Sequence, residues 1–226
     1  MKRLGILGTL VWDRIWRRDA SAPLEAWGGI SYSLAAAAAN APAGWEIVPL
    51  LKIGADLEAE ARRFLATLPL ARDAELVIVP EPTNRVELRY HDAHNRCERL
   101  TGGVPAWTWA ELAPRVAGLD ALYVNFISGF EMELATAERL RAGFAGPIHA
   151  DLHSLLLARD AADGRGTPRS LPEWRAWLRC FDSVQLNADE LARLTGLPGD
   201  PWVHVAEALG DGLGLVAATR GGDGMS

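Results

Sequence analysis

The chain has 226 residues, 49% apolar and 23% charged, with a formal net charge of −6. That length suits one sizeable domain with a well-buried core. The acidic balance excludes a general nucleic-acid binder, which needs surplus Lys and Arg against the phosphates. The longest apolar stretch, 34–39, is far shorter than the ~20 residues that cross a bilayer, so no membrane partner is expected. The N-terminus lacks the apolar core and cleavage site of a signal peptide. Cys97 and Cys180 stand alone, without the spacing of a zinc site or a disulfide framework. Reduced thiols in the cytoplasm are expected.

Residues 4–11 (LGILGTLV) form an apolar run bounded by charge, the pattern of a buried strand. Asp13 lies at its end. Residues 14–27 mix Trp, Arg, Asp and Pro and read as short edge strands. Gly28-Gly29 opens an alanine-rich helix to residue 41, which predicts close packing on most faces. Residues 46–53 (EIVPLLKI) read as a strand, and 56–68 as an amphipathic helix with an acidic first turn. A strand follows at 75–79. Residues 85–91 alternate apolar and polar, 92–95 make a turn and 96–100 return, which predicts a hairpin.

Beyond residue 107 the pattern is regular. Helices are predicted at 107–116, 131–142, 171–179, 188–195 and 202–209, with Gly196 ending the fourth. Strands are predicted at 121–126, 147–152, 183–186 and 213–219, and a polar loop at 160–169. Strand–helix alternation implies an α/β fold, a doubly wound, mostly parallel sheet with helices on both faces. The hairpin near 85–100 breaks that rhythm and reads as a smaller sheet over the edge of the main one. The chain stops at Met225-Ser226, just after a glycine-rich loop, with no element to cover that sheet edge. The expectation is a chain cut short. Trp107, Trp109, Trp174 and Trp177 are expected in or over the core.

Three motifs carry chemistry. Gly28-Gly29 lets backbone approach a ligand closely, and Asp13 at a strand end could accept hydrogen bonds from sugar hydroxyls; the alternative is a turn and a surface carboxylate. Asn187 and Glu190 (QLNADELARLTG) share one face at a helix start. They form a capping pair, or they stand beside a phosphate-bound magnesium held partly through water. Thr219, Gly221 and Gly224 (TRGGDG) after the last strand suit backbone cradling of phosphates, or a plain glycine turn. The last is neither a Walker A loop nor a dinucleotide fingerprint, and Gly5-Ile-Leu-Gly8 also fails that fingerprint.

The order of these motifs, with LLKIGAD at 50–56 between them, resembles the PfkB/ribokinase family of sugar and nucleoside kinases across essentially the whole chain. The resemblance implies a ribokinase-like sheet plus a small β lid, at about 14–27 and 83–101. It implies ATP-dependent phosphorylation of a sugar or nucleoside hydroxyl, with Mg2+ and a monovalent cation as cofactors. By position, Asp13, Gly28, Gly29 and Asn125 would bind substrate, with Arg85 a further lid candidate for substrate or the transferred phosphate. Asn187, Thr219, Gly221 and Gly224 would lie along ATP, and Glu190 would serve Mg2+ through water. Asp151 matches a strand-end position lining the nucleotide side. A homodimer through the lid edge is the expected assembly.

Two departures stand out. Ile30 and Ser33 replace the Lys and Asn that grip a ribose-like sugar in many of these kinases, so ribose itself is not implied. The family's Gly-Ala-Gly-Asp run, which carries the catalytic Asp, is absent from these 226 residues. No catalytic residue is therefore assigned, and negligible turnover is expected of this chain alone. The rival readings are a non-catalytic sugar- or nucleoside-binding regulator, and a nucleotide-binding module in which Asn187 and Glu190 are only caps.

Overall fold

The first apolar run is not one strand. It divides at Gly8-Thr9 into β1 (Lys2–Leu7) and β2 (Leu10–Trp16), and Asp13 lies inside β2 rather than at the end of β1. The computed structural model of the chain describes residues 1–18, 20–71, 76–90, 96–160, 162–171 and 173–226. The expected turn at 92–95, together with His91, Glu75 and Pro172 at element boundaries, lies outside the described residues.

β3 (Leu24–Gly29) runs into helix α1 (Ile30–Asn40). β4 (Trp45–Gly54) is followed by a short 3-10 turn and α2 (Glu58–Leu65), so the helix expected from 56 starts two residues later. β5 (Leu76–Val79), β6 (Arg85–Tyr90) and β7 (Arg96–Thr101) come next. Then follow α3 (Trp109–Val116), β8 (Ala121–Asn125), α4 (Leu134–Gly143) and β9 (Ile148–Asp151). The expected polar loop at 160–169 contains instead part of a hairpin, β10 (Leu157–Arg159) and β11 (Gly166–Pro168). Strands of three residues are too short to show a period. The chain ends with α5 (Trp174–Leu178), β12 (Ser183–Asn187), α6 (Ala188–Arg193), α7 (Pro201–Gly210) and β13 (Leu215–Thr219).

Seven strands form one parallel sheet in the order β13-β12-β9-β8-β1-β4-β5. β4 shows why its sequence is almost continuously apolar. Ile47, Leu51 and Ile53 enter a core with α1 and α2 on one face, while Val48 and Leu50 enter the larger core on the other. A strand covered on both faces has no solvated side to alternate. The larger core takes Leu112 of α3, Leu140 of α4, Trp174 and Trp177 of α5 and Val205 of α7, with Trp107 buried in it and Trp109 packed against it.

Lys52 is the polar exception in β4, only 3% exposed. Its Nζ donates to the Ala106 carbonyl at 2.9 Å, pairs with Glu111 at 2.8 Å and lies 4.7 Å above the Trp107 ring. Glu111 also closes the capping box of α3 with Thr108. Burial raises the Glu111 pKa, but the bonds from Lys52 and Thr108 win and hold it below the usual carboxylate range. A buried charge is tolerated when paired and hydrogen-bonded in this way.

A second sheet, in the order β3-β2-β6-β7, continues from the carboxyl end of β1, with only Gly8 and Thr9 between β1 and β2. β2 and β6 are parallel, and the outer pairs are antiparallel. Val11, Val86 and Leu100 form its own small core, with Ile127 packed against it. It is fixed at Asp56, just past β4. That carboxylate accepts from the Thr83 N–H at 2.9 Å, the Thr83 hydroxyl at 2.7 Å and the Arg85 guanidinium at 2.6 Å. Burial opposes its ionisation, yet these bonds bring its pKa down to about 2.

Phe126 is fully buried and meets Trp177 and Phe181 edge-on, with centroids 5.5 and 6.2 Å away. Phe126→Ala is expected to cost about 3–5 kcal/mol of stability. Urea unfolding with an unchanged slope checks it. Asp56→Asn is expected to cost roughly 1–2 kcal/mol at neutral pH. Because the folded pKa is depressed, that difference fades as pH falls from 3.8 towards about 2, which unfolding at a series of pH values reads.

Candidate functional site

The carboxyl ends of the parallel strands set out a row of polar side chains, where open α/β sheets take their ligands. Asn125 on β8 stands beside Asp151 on β9. Gln185 on β12 is the next neighbour of Asp151, and Asn187 at the end of β12 pairs with Thr219 at the end of β13.

On the second sheet, Asp13 is 8% exposed. Its register partners are Ala26 and Val86, and Val11, two residues earlier, pairs with Gly28. Asp13 and Gly28 therefore share one face of the sheet. A Cβ on Gly28 would sit 2.0 Å from the Asp13 Oδ2, so the carboxylate rests where any other residue would put its side chain. Gly29 precedes α1 with φ +60°, and a Cβ there would lie 2.7 Å from the Thr9 carbonyl oxygen. Glycine is required at both positions, the first for space and the second also for its backbone angle.

Asn125 is 6% exposed. Its Nδ2 donates to the Tyr123 hydroxyl at 2.9 Å and reaches Ser33 Oγ at 3.4 Å. Its Oδ1 is buried with no hydrogen-bond partner among the described residues. Burial pushes the Tyr123 phenol up.

The capping geometry expected at 187–190 is present. Asn187 Oδ1 accepts from the Glu190 N–H at 2.9 Å, and Glu190 Oε2 accepts from the Asn187 N–H at 2.8 Å. The other Glu190 oxygen, Oε1, faces His153 Nδ1 at 2.9 Å. Burial raises the Glu190 pKa, but the bonds from His153 and the Asn187 N–H bring it below its ordinary value. The bond to Glu190 raises the His153 pKa. Asp151 is pushed up by burial and further by the Glu190 charge. Among the described residues no cluster of three or more His, Cys, Asp or Glu has metal-holding geometry. A cation here would need oxygen ligands from elsewhere, such as phosphates and water, as Mg2+ commonly has.

Past Thr219, Gly221 (φ +56°) and Gly224 (φ +88°) shape a tight turn closed by Arg220 N–H to Gly224 carbonyl at 2.7 Å. A Cβ on either glycine would meet nothing within 4 Å. The backbone angle, not crowding, calls for glycine, and the loop's backbone is open to a polyphosphate.

Arg85 is set apart from these groups. It pairs with Trp12, so it points to the face of the second sheet opposite Asp13. Its guanidinium is bound to Asp56 and the Thr83 carbonyl.

Two residues at the site give little sign in sequence. His153 is legible only as a histidine just past a strand end. Glu131 falls within an expected helix, yet α4 begins at Leu134. Its buried carboxylate, 3% exposed, instead accepts from Thr9 Oγ1 at 2.8 Å, Ser128 N–H at 2.7 Å, Ser128 Oγ at 2.9 Å and Gly129 N–H at 3.0 Å. It thereby ties the loop after β8 to the end of β1.

No family model and no curated protein matches the chain. Solved structures do. A pyrophosphate-dependent kinase in the ribokinase family superposes with a TM-score of 0.74 at 18% identity, over 96% of this chain and 72% of that one. Ribokinase of Arabidopsis thaliana, solved with ribose and ATP, gives 0.69 at 17% identity, over 100% of this chain and 74% of that one. A nucleoside kinase of Burkholderia thailandensis, solved with inosine, gives 0.69 at 16% identity, over 99% of this chain and 74% of that one. The chain has the ribokinase-like fold.

Gly28→Ala is expected to push the Asp13 carboxylate aside at a cost of roughly 1–3 kcal/mol, read by urea unfolding. The His153–Glu190 pair carries a pH signature. Its stabilisation is lost as pH rises through the raised His153 pKa, and as pH falls through the lowered Glu190 pKa. His153→Gln is therefore expected to cost a few tenths to about 1 kcal/mol near pH 5.5 and almost nothing near pH 9. Equal costs at both pH values would contradict the pair.

Proposed function

We propose that this chain carries the substrate and phosphate-donor sites of an ATP-dependent kinase acting on a sugar or nucleoside hydroxyl. The observation that carries the reading is Asp13, a buried carboxylate seated against Gly28 on the small sheet, with the paired glycines leading into α1, whose Ser33 lies 3.4 Å from Asn125 at the end of β8. A carboxylate with apolar surroundings is suited to accept hydrogen bonds from vicinal hydroxyls.

In this reading Asp13, Gly28, Gly29 and Asn125 hold the acceptor, and the unpartnered Asn125 Oδ1 accepts a hydrogen bond from one of its hydroxyls. Asn187, Thr219, Gly221 and Gly224 hold the nucleotide, and Glu190 steadies Mg2+ through water, since both its oxygens already have protein partners. Bound Mg2+ supplies charge neutralisation of the transferring phosphoryl group. The chain's own residues supply position, and the small sheet acts as a lid that excludes water. Arg85 anchors the lid through Asp56 rather than contacting substrate. No Asp of this chain is assigned the catalytic base, and the 226 residues alone are expected to give no turnover.

Pyrophosphate is the second reading for the donor. It is suggested by the pyrophosphate-dependent kinase of the ribokinase family among the structures the chain superposes on.

The test is calorimetric titration with ribose, fructose, myo-inositol and inosine, each with Mg-ATP or Mg-pyrophosphate present. One acceptor is expected to bind, and Asp13→Asn to weaken it tenfold to a hundredfold, about 1.4–2.8 kcal/mol. Asn187→Ala is expected to weaken the donor and leave the acceptor unchanged. Acceptor binding without any donor binding would favour a regulatory sugar-binding protein, and no binding by any of the panel would remove the proposal.

A further inference from the structure

The outer strand of the lid, β7, is held by the hairpin β10–β11. Three features lie at that junction. The Leu100 N–H donates to the Gly164 carbonyl at 3.0 Å. The Arg99 side chain donates through Nε to the Asp163 carbonyl at 2.8 Å, and Arg99 and Arg165 form an antiparallel bridge. Arg159 reaches Glu98 Oε1 with both Nη1 and Nη2 at 3.1 Å.

The tip of the hairpin is built to fit. Gly164 has φ +71°, and a Cβ there would stand 1.9 Å from the Leu100 carbonyl oxygen. The turn is closed by Gly164 N–H to the Asp160 carbonyl at 2.8 Å and Asp160 N–H to the Arg165 carbonyl at 2.9 Å. The Asp160 carboxylate also takes the Ala162 N–H at 2.7 Å. The base is rigid. Leu155 and Leu156, just before β10, are buried in the main core, and Arg169 binds back to the Leu156 carbonyl through its N–H at 2.9 Å and to the Leu155 carbonyl through its side chain.

We propose that this hairpin is a clamp: it fastens the free edge of the lid to the main domain, and the lid opens only when the hairpin lets go. Besides the packing of Trp27 on Phe64 of α2, two polar tethers then hold the lid on different strands, Asp56 at the root of β6 and the hairpin along β7. An exposed strand edge invites another strand, and this contact closes β7 at Arg99 and Leu100 from within the chain. The hairpin grows from the segment after β9 that also carries His153, the partner of Glu190. The clamp therefore joins the lid to the strand ends. The fastening of β7 stands on the contacts alone, while the opening of the small sheet as a lid rests on the proposed function.

The test is amide hydrogen exchange on the full chain and on Arg159→Gln, Glu98→Gln, Gly164→Ala and the reversed pair Arg159→Glu with Glu98→Arg. In the three single variants, peptides covering β7 are expected to exchange at least about tenfold faster while β8 and β9 keep their rates, as for a locally opening unit. The reversed pair is expected to recover much of the protection. Unchanged β7 exchange in Gly164→Ala and Arg159→Gln would overturn the clamp. So would equal acceleration of β7 and β8, because the hairpin would then support the whole fold rather than the lid edge.

Discussion

The carboxylate of Asp56 receives three hydrogen bonds from the start of the lid, two from Thr83 and one from Arg85. That junction fixes the start of β6 to the end of β4. The main sheet is rigid because it is covered on both faces and its strands pair in parallel. The small sheet has only a small core of its own, and its two halves, β2–β3 and β6–β7, come from separate stretches of the chain with α1, β4, α2 and β5 between them. A small sheet of that kind has little independent stability. With that root fixed β6 is held, and β2, which pairs with it at Asp13 and Val86, is steadied in turn. Asp56 ionises readily because its partners are donors in place before the proton leaves, which makes the anchor strongest at neutral pH.

The lower half of the site illustrates how one set of residues can serve two ends. Asn187 and Glu190 close a capping box, and that satisfies N–H groups at the start of a short helix. The same geometry turns Glu190 towards His153 and holds both near Asp151. In the proposed reading, structural capping and phosphate recognition are compatible roles of the same residues. The cap fixes the side chains, and a site needs fixed side chains.

How much of this was legible in sequence varies with length and periodicity. β4 was readable because a strand buried on both faces must be apolar throughout, and α3 and α7 because they are long enough to show a face. The break at Gly8-Thr9 was not readable, since apolar residues resume at once beyond it and only the partner strands change, from β4 and β8 to β3 and β6. The hairpin β10–β11 was invisible because its strands have three residues each and its energy lies in contacts with β7, far away in the chain. Glu131 looked like a helix residue because helical pattern says nothing about a carboxylate captured by the end of β1. Asp13 and Gly28 were both singled out, but their mutual contact is a tertiary fact, created by the antiparallel pairing of β2 with β3. Arg85 was singled out by its place on the expected lid, and its bond to Asp56 is a tertiary contact that the sequence does not show.

The most direct test of the account is a crystal structure of the chain with the acceptor that binds and Mg-ATP or Mg-pyrophosphate. The account predicts acceptor hydroxyls within hydrogen-bonding distance of the Asp13 carboxylate and the Asn125 amide, and phosphates along Thr219 to Gly224 with Mg2+ near Glu190. Density for either ligand elsewhere on the molecule, with Asp13 and Asn125 untouched, would contradict it.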